Sequence, residues 1–340
     1  MGKSLAGMYG LFAQRRIKMK NLYLGGPSQK YHGFLHDTYS NIFSKLQFKP
    51  YYSNSYKKFL LHLSLHKYRL IWCESNARGF VTLLCKTVLK KRLKDTKIIT
   101  RFHRVPSMIL EERGWKAIVP LFGSDIVVWV YDCLNELTEL FPSLSHENFF
   151  VVHNGVNLDF YKPIANITKN QNIILTLSNW WKHKRLELLI EAMKYLPDYE
   201  LAIIGRFLDS EYKEYCLDSA KEFPRRISFL GEKYGKEKVH WMNKAGIFVL
   251  PSILESWSTQ TMEAMACETP ILITEGGGVN EYVPEKERLP KNITAKELAE
   301  RIYSLSRDEN IGKKNKEIVT KYSWENIRKE VDLVLEEVEK

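Results

Sequence analysis

Two carboxylates stand eight positions apart in the stretch LESWSTQTMEAMACETPILITEGGG, which covers residues 254–278. They are Glu255 and Glu263, and a carboxylate can accept two hydrogen bonds from a pair of sugar hydroxyls. Ser258 or Thr259, between them, can cap a helix whose free N–H groups would face a phosphate. The residue types predict a site for a ligand that carries both hydroxyls and phosphate. The alternative is that both acids are ordinary solvated side chains.

The segments on either side of these acids indicate how they would be held. GIFVLPS (246–252) is typical of a buried strand, and TQTMEAMAC (259–267) is typical of the helix that follows it. In a parallel sheet, ligands bind beyond the carboxyl ends of the strands, where loops lead into helices. The pattern therefore predicts that residues 255–259 form a crevice loop. The glycines at 276–278, after the next strand, would let backbone approach a phosphate or sugar closely.

Both halves of the chain alternate apolar strands with helical segments, which predicts two parallel sheets covered on both faces. We expect helices from Ala77 to Arg92 and from Ile109 to Phe122, and a final amphipathic helix capped by Ser323. The halves join near NGVNLDFYKP (154–163). The predicted strands lie in NLYLGG (21–26), YRLIWCE (68–74), KIITRFH (97–103), DIVVWV (125–130), FFVVHN (149–154), NIILTLSN (172–179), YELAIIG (199–205), ISFLG (227–231), GIFVLPS (246–252) and PILITEG (270–276).

Composition bounds the class of protein. The chain has 340 residues, enough for one large or two medium domains, and 44% hydrophobic residues, as in globular proteins. Its five cysteines are scattered without a C-x-x-C pair, which argues against a disulfide framework or zinc site and favours a cytoplasmic location. No run reaches the roughly 20 apolar residues of a membrane span. Residues 1–18 are expected to be a loose extension, with a membrane-touching arm as the alternative.

Charge is distributed unevenly along the chain. Residues 1–150 hold 23 basic and 10 acidic side chains, and the remaining residues hold 28 and 30. Such asymmetry suggests that the first half contacts something anionic. The stretches YYSNSYKKFLLHLSLHKYRL and TLLCKTVLKKRLK interleave basic, aromatic and aliphatic residues, which suits anionic lipid headgroups. A solvated basic face is the alternative.

The stretch PSILESWSTQTMEAMACETPILITEGGGVNEYV resembles the signature of the retaining glycosyltransferases of family four, which have the GT-B fold. That pattern is approximately P-S-x-x-E-[GS]-[FW]-x-x-x-x-x-E-A-M-A-x-x-x-P-[VI]-[VIL], followed by G-G-x-x-E. Its fixed positions are met by Pro251, Ser252, Glu255, Ser256, Trp257, Glu263, Ala264, Met265, Ala266, Pro270, Gly277, Gly278 and Glu281.

Other segments resemble the family in the same order, over residues 20–340 and more strongly after 150. VVHNGVNLDFYKP is similar to its interdomain segment, with Asn157 where Asp is usual. RFHR (101–104) is similar to the segment with a sugar-contacting histidine. SNWWKHKR departs from the family's G-R-L-x-x-x-K-G: Lys184 matches the lysine, but Asn179 stands where arginine is expected. Lys182 or Arg185 would then supply the missing charge.

The resemblance implies an α/β GT-B protein with two Rossmann-like domains facing across a cleft and a C-terminal helix. The implied organisation is an N-terminal extension (1–18), an N-terminal Rossmann-like acceptor domain (19–153), an interdomain hinge (154–163), a C-terminal Rossmann-like nucleotide-sugar domain (164–320) and a C-terminal helix (321–340) that packs back toward the N-domain.

The implied activity is transfer of a sugar from a nucleotide-diphosphate sugar to an acceptor hydroxyl, with retention and without a metal or other cofactor. The implied catalytic residues are His103, Lys184 and Glu255. A histidine satisfied at a strand end is the alternative for His103, and a plain turn is the alternative for Gly25 and Gly26. The implied donor-binding residues are Gly25, Gly26, Asn179, Lys184, Gly205, Arg206, Leu230, Lys233, Glu255, Ser256, Trp257, Ser258, Thr259 and Glu263.

The expected partners are a nucleotide sugar, a lipid-linked or cell-surface glycan acceptor and an anionic membrane surface, with the protein peripheral on the inner face of the membrane. A nucleic-acid-binding protein would account for the basic half but not for the ordered signature segments. A sugar phosphorylase would need a pyridoxal-phosphate lysine motif, and a GT-B epimerase is a further alternative. Because of Asn179, a GT-B protein that binds sugar nucleotide with little or no turnover stays open as well.

Overall fold

The computed structural model describes residues 21–25, 39–52 and 55–340. The predicted extension (1–18) and Gly26 lie outside these residues. The described chain divides into two compact units. The first holds the residues up to Trp129 together with Leu134–Val151 and Val331–Lys340, and the second holds Val130–Cys133 and Val152–Glu330. Each unit contains one six-stranded sheet.

The sheet of the first unit is parallel throughout, in the order β2-β1-β3-β4-β5-β6. Strands β3 and β5 are buried along their whole length, which is why their sequences, LIWC and IVVW, are continuously apolar. The strands are Asn21–Leu24 (β1), Phe48–Tyr51 (β2), Leu70–Cys73 (β3), Lys97–Phe102 (β4), Ile126–Trp129 (β5) and Phe149–Val151 (β6).

Helices cover this sheet, and both helices predicted here differ from the prediction: the one expected from Ala77 to Arg92 spans Asn76–Val88. The single helix expected from Ile109 to Phe122 is two helices, because Gly114 between them has φ +50°, a left-handed conformation that an α-helix cannot continue through. The helices are Tyr56–Leu65 (α1), Asn76–Val88 (α2), Pro106–Arg113 (α3), Trp115–Gly123 (α4) and Leu134–Leu140 (α5), with a short π-helical turn at Tyr39–Phe43.

The sheet of the second unit is also parallel, in the order β12-β11-β10-β7-β8-β9. The strands are Asn170–Leu177 (β7), Glu200–Ile204 (β8), Ile227–Phe229 (β9), Ala245–Leu250 (β10), Ile271–Thr274 (β11) and Arg288–Leu289 (β12). The helices are Leu186–Ala192 (α6), Ser210–Ala220 (α7), Gly235–Lys244 (α8), Thr259–Ala266 (α9), Val279–Tyr282 (α10), Ala295–Ser306 (α11) and Glu309–Thr320 (α12). The last helix, Trp324–Glu339 (α13), begins in this unit, and its residues from Val331 onward belong to the first unit.

All ten predicted strands are present, and the two-sheet α/β architecture is confirmed. The sequence did not reveal β2 and β12, which form one edge of each sheet. Strand β2 contains Lys49 and Pro50, both exposed, and β12 has only two residues, so neither shows an apolar run. The last helix begins as predicted, since the Asn326 N–H donates to Ser323 Oγ at 3.3 Å.

The segment 154–163 packs within the second unit. Val156 N–H donates to the Tyr322 carbonyl at 2.9 Å. A Cβ on Gly155 would lie 2.6 Å from the Trp324 ring, so only glycine fits there. Asn157 accepts at Oδ1 from the N–H groups of Asp159 and Phe160, both at 3.1 Å, as an aspartate at that position would.

Candidate functional site

The order of the second sheet places its crevice between β7 and β10. Strand order runs outward from β7 in one direction through β8 and β9, and in the other through β10, β11 and β12. Ligands of open α/β sheets bind at such a reversal point, beyond the carboxyl ends of the strands. Two loops flank this point, one after β7 and one after β10. They are joined by a hydrogen bond of 2.8 Å that the Ile253 N–H donates to the His183 carbonyl.

These two loops bring Lys184 and Glu255 together. Lys184 Nζ forms an ion pair with Glu255 Oε1, and the two side chains are only 16% and 11% exposed. Ser252 is fully buried and its Oγ donates to the same carboxylate oxygen at 2.7 Å. The lysine ammonium is thus held at the crevice by a carboxylate that is itself fixed, an arrangement suited to receiving an anion.

Helix α9 begins at the crevice with Ser258 as its cap. Ser258 Oγ accepts from the Thr261 N–H at 3.3 Å, so Ser258 and not Thr259 has the capping role. The buried Tyr282 hydroxyl donates to the Ser258 carbonyl at 3.2 Å and fixes the cap from behind. The first turn of a helix has N–H groups without intrahelical partners, and these favour a negatively charged ligand.

Glu263 lies about one turn into α9 and is paired with a lysine that the sequence did not single out. Lys238, on α8, forms an ion pair with Glu263 Oε2, and the side chains are 14% and 12% exposed. Lys238 Nζ also lies 5.5 Å from the centroid of the Tyr161 ring. No spacing signal could have revealed Lys238, because KEKVHWM reads as an ordinary charged helix face.

The glycine run at 276–278 packs against the loop that carries Glu255. Gly277 has φ +54°, and a Cβ there would lie 2.3 Å from the Glu255 carbonyl oxygen. Gly278 donates its N–H to the Ser256 carbonyl at 2.7 Å. These glycines are therefore needed for close approach to the chain's own loop, whereas the sequence suggested approach to a ligand.

Trp257 belongs to a buried aromatic cluster. Its side chain is 5% exposed and its indole N–H lies 2.8 Å from Met262 Sδ. Its ring centroid is 4.8 Å from those of His153 and Tyr282. The indole thus packs inside the second unit, which gives Trp257 a structural role in positioning the Glu255 loop.

The residues expected around the nucleotide base follow β8 and β9. Gly205 has φ +125°, and a Cβ there would lie 1.7 Å from the Ser178 carbonyl oxygen, so glycine is required where the two loops meet. Leu230, partly buried, donates its N–H to the Ile203 carbonyl at 2.8 Å. Arg206 and Lys233 each have an acidic neighbour, Glu232 at 3.8 Å and Glu237 at 3.3 Å.

Arg185 does not replace the positive charge that is missing because Asn179 stands where the resembled motif has arginine. Asn179 is exposed, and Lys182 is exposed as well. Arg185 donates to the carbonyls of Lys291 at 2.6 Å and Ile293 at 3.3 Å, which commits its guanidinium to backbone. It also takes φ +52° at the position where the resembled motif has glycine. Of the two cations considered for the missing charge, Lys182 is the one whose side chain is left in solvent.

In the first unit, His103 follows β4 and lies beside a buried acid that sequence reasoning missed. His103 Nε2 is 3.1 Å from Glu74 Oε1. Arg101 Nη1 donates to the same oxygen at 2.7 Å, and the Trp72 indole N–H donates to Glu74 Oε2 at 2.7 Å. Only three acids occur among the first 100 residues, and Glu74 directly after an apolar strand was the available signal.

This environment sets the ionisation of both groups. Burial would raise the pKa of Glu74, but the Arg101 charge and the hydrogen bonds from His103 and Trp72 outweigh it and lower that pKa to about 2. Burial lowers the pKa of His103, and its hydrogen bond to Glu74 only partly opposes this. His103 is therefore neutral at pH 7, beside an ionised carboxylate.

Gly25 follows β1 in the same sheet. A Cβ there would lie 2.8 Å from the Tyr52 ring and 2.9 Å from the Tyr23 ring. Packing between these two rings thus accounts for glycine at this position without a ligand.

Sequence reasoning also missed His153, which lies between two carboxylates in the second unit. His153 Nε2 lies 2.9 Å from Glu281 Oε2, and its Nδ1 lies 2.8 Å from Glu330 Oε1. Burial would lower the pKa of His153, but hydrogen bonds to the two carboxylates raise it to about 9. Glu281 is the acid of the G-G-x-x-E segment, and it also accepts from the Asp132 N–H at 2.8 Å.

Within residues 21–25, 39–52 and 55–340, no three His, Cys, Asp or Glu side chains are grouped as metal ligands would be. In the same part of the chain, no helix combines the length and apolar character that a bilayer span requires.

Comparison with known proteins identifies relatives of both the sequence and the fold. Residues 158–323 match the family described as glycosyl transferases group 1. An uncharacterised glycosyltransferase of Methanocaldococcus jannaschii is 25% identical over 330 residues, covering 87% of this chain and 90% of that protein. A probable sucrose-phosphate synthase of Thermosipho melanesiensis is 30% identical over 209 residues, covering 58% and 49%. The crystal structure of Anabaena HepE in complex with UDP-glucose superposes with a TM-score of 0.78 at 16% identity, covering 94% of this chain and all of that one.

Proposed function

Because the chain belongs to the group 1 glycosyl transferases and has their GT-B fold, we propose that it transfers a sugar from a nucleotide-diphosphate sugar to an acceptor hydroxyl with retention of configuration. The observation that supports this most directly is the ion pair of Lys184 with Glu255 at the reversal point of the second sheet, next to the start of α9. HepE binds UDP-glucose, which makes uridine diphosphate the first nucleotide to test.

The proposed chemistry needs stabilisation of the leaving diphosphate. Negative charge develops on it as the glycosidic bond breaks, and fixed cations and N–H groups aimed at that charge lower the barrier. Lys184 supplies the cation and the first turn of α9 supplies the N–H groups. Glu255 orients Lys184 and accepts from sugar hydroxyls, and Glu263 accepts from the ribose diol.

Retention and metal independence belong to the same proposal. The attacking hydroxyl would approach on the face that the diphosphate leaves, with the phosphate oxygen taking its proton, so configuration is kept. The diphosphate charge is met by Lys184 and backbone N–H groups, so the reaction requires no divalent ion. His103, neutral at pH 7, contacts the transferred sugar through a hydrogen bond.

The acceptor is proposed to be a lipid-linked or cell-surface glycan, approached from an anionic membrane surface. Exposed apolar side chains lie on two helices of the first unit, with Leu65 on α1 and Val88 on α2 exposed by 65% and 62%. Exposed lysines lie on α1 (Lys57 and Lys58) and in the chain that follows α1 and α2 (Lys67, Lys90, Lys91 and Lys94). Apolar side chains flanked by lysines favour insertion among acidic headgroups.

The experiment is a donor screen with UDP-, GDP- and dTDP-sugars, in which released nucleoside diphosphate is measured for the wild type and for Lys184→Met. We expect one nucleotide class to be turned over, with a loss of about 100-fold in Lys184→Met, as when one preorganised donor to a developing charge is removed. Lys221→Met is the matched control, since Lys221 pairs with Asp218 at 2.6 Å on the open surface. NMR of the product anomeric centre then tests retention.

The contrary outcome is a protein that binds a nucleotide sugar without turning it over. Asn179 in place of arginine and the engagement of Arg185 with backbone carbonyls both reduce the positive charge available to the diphosphate. Binding of a nucleotide sugar without nucleoside diphosphate release, with any acceptor supplied, would establish that second candidate and overturn the proposed turnover.

A further inference from the structure

The ion pair between Lys238 and Glu263 joins two consecutive helices at the donor side of the second sheet. Glu263 stands on the helix that starts at the crevice, and Lys238 reaches it from α8. Both side chains are largely buried, and Glu263 Oε2 has almost no contact with solvent. An ion pair buried to this extent fixes the position of its members, because separating them would leave a charge unpaired in a poor solvent.

The geometry divides the two oxygens of Glu263 between different partners. Lys238 takes Oε2, and this leaves Oε1 as the oxygen that a ligand can use. A free carboxylate can rotate about its last torsion and present either oxygen. With Oε2 held, that rotation is blocked, and the carboxylate keeps one orientation before any ligand arrives.

The surroundings of Lys238 support a fixed position. Its Nζ lies over the Tyr161 ring, 5.5 Å from the centroid, in a cation–π geometry. The buried Cys267 thiol interacts electrostatically with both members of the pair, and burial raises its pKa to about 12, so it is neutral. The ammonium is thus held by one carboxylate and one ring face.

We propose that Lys238 is a positioning residue for nucleotide recognition: it holds Glu263 so that Oε1 accepts from the ribose diol of the donor. This rests on the proposed function, since it assumes that Glu263 faces the ribose. It adds that discrimination between a ribose and a 2′-deoxyribose depends on Lys238, a residue that does not touch the nucleotide. A purely structural pair would tie α8 to α9 without affecting that discrimination.

The test is calorimetric titration of the full-length protein with UDP and 2′-deoxy-UDP, with GDP and 2′-deoxy-GDP, and with dTDP. The measured quantity is the ratio of the two dissociation constants for each pair of nucleotides. The variants are Glu263→Gln, Lys238→Met, Lys238→Arg and the double variant Lys238→Met/Glu263→Gln. Lys316→Met is the matched control, because Lys316 pairs with Glu268, just beyond α9, at 2.8 Å.

We expect the wild type to bind the ribonucleotide about tenfold more tightly than its 2′-deoxy form, the effect of about one hydrogen bond to a charged group. In Glu263→Gln the ratio should fall to about 1–2, on the same basis. Lys238→Met should lower the ratio at least about threefold. The double variant should reduce the ratio no further than Glu263→Gln alone does, as expected for residues that act together. Lys238→Arg should have a ratio close to that of the wild type, and Lys316→Met should have the wild-type ratio.

Several outcomes would overturn the inference. One is that Lys238→Met folds and keeps the wild-type ratio of dissociation constants, whereas Glu263→Gln no longer prefers the ribonucleotide. The proposed function would then stand without a role for Lys238. A wild-type preference for dTDP would also overturn it, because 2′-deoxyribose has no diol. Absence of binding to UDP, GDP and dTDP alike would instead refute the proposed function itself. If Lys238→Met does not fold, Lys238→Gln is measured in its place and decides by the same ratio.

Discussion

Raising the pH should destabilise the second unit by deprotonating His153. Its side chain is 19% exposed and lies between Glu281 and Glu330, which raise its pKa to about 9. A group with a raised folded-state pKa stabilises the protein fully below its unfolded pKa, near 6.5, and loses that contribution as the pH rises through about 9. The window of lost stability is therefore pH 6.5 to about 9.

The pKa shift of His153 gives the size of its contribution to the free energy of unfolding. Each pKa unit corresponds to about 1.4 kcal/mol, so a rise from 6.5 to about 9 corresponds to about 3 kcal/mol. The two carboxylates are 29% and 30% exposed, and solvent screening reduces the expected contribution to about 2 kcal/mol.

The assay compares denaturant unfolding of the wild type with that of His153→Gln between pH 6 and pH 10. The wild type should be more stable by about 2 kcal/mol at pH 6, and the difference should shrink toward zero above pH 9. His240→Gln, which changes an exposed histidine of the same unit, should show no such trend. NMR of ¹³C-labelled histidine should show one ring titrating near pH 9 that is missing in His153→Gln. A His153 ring titrating near 6.5, with a stability difference independent of pH, would refute the reasoning.

The remaining predictions concern the donor, the metal, the membrane and the sugar. Glu263→Ala should weaken nucleotide binding by roughly 1–3 kcal/mol, because the proposed buried acceptor for the ribose is lost; unchanged affinity in calorimetry would end the assignment. Turnover should survive EDTA, since Lys184 and backbone N–H groups are proposed to meet the diphosphate charge, whereas loss of turnover on chelation with recovery on adding manganese would contradict this. The protein should bind anionic vesicles more tightly than neutral ones, with each basic residue near the surface contributing ~1 kcal/mol and the difference declining with salt; equal binding to both would mean that the basic face of α1 and α2 is only solvated. His103→Ala should lower turnover far more than nucleotide affinity, because the histidine is proposed to contact the transferred sugar; equal losses would place it at the nucleotide instead.

Sequence reasoning was most successful where an element has a periodic pattern. The buried strands are continuous apolar runs, and the caps at Ser258 and Ser323 are of the residue type that helix starts favour. It also brought Lys184 and Glu255 to one crevice, because the loops that follow parallel strands converge at one edge of the sheet.

What the sequence did not reveal are contacts between side chains from separate elements. Glu74 and Lys238 are charged residues without a motif, and only the packing of β3 beside β4, or of α8 beside α9, gives them their partners. Gly277 was interpreted as room for a ligand and Gly205 was expected to bind the donor, but each also makes room for a neighbouring loop of the same unit. The break at Gly114 was missed because a single glycine within a helical pattern is usually tolerated.

A crystal structure of the protein with UDP bound tests the central claim most directly. We expect the diphosphate within about 3 Å of Lys184 Nζ, at the first turn of α9, and the ribose hydroxyls at Glu263, with Lys238 still paired to Oε2. A nucleotide bound away from the loops that follow β7 and β10, with Lys184 still paired only to Glu255, would contradict it.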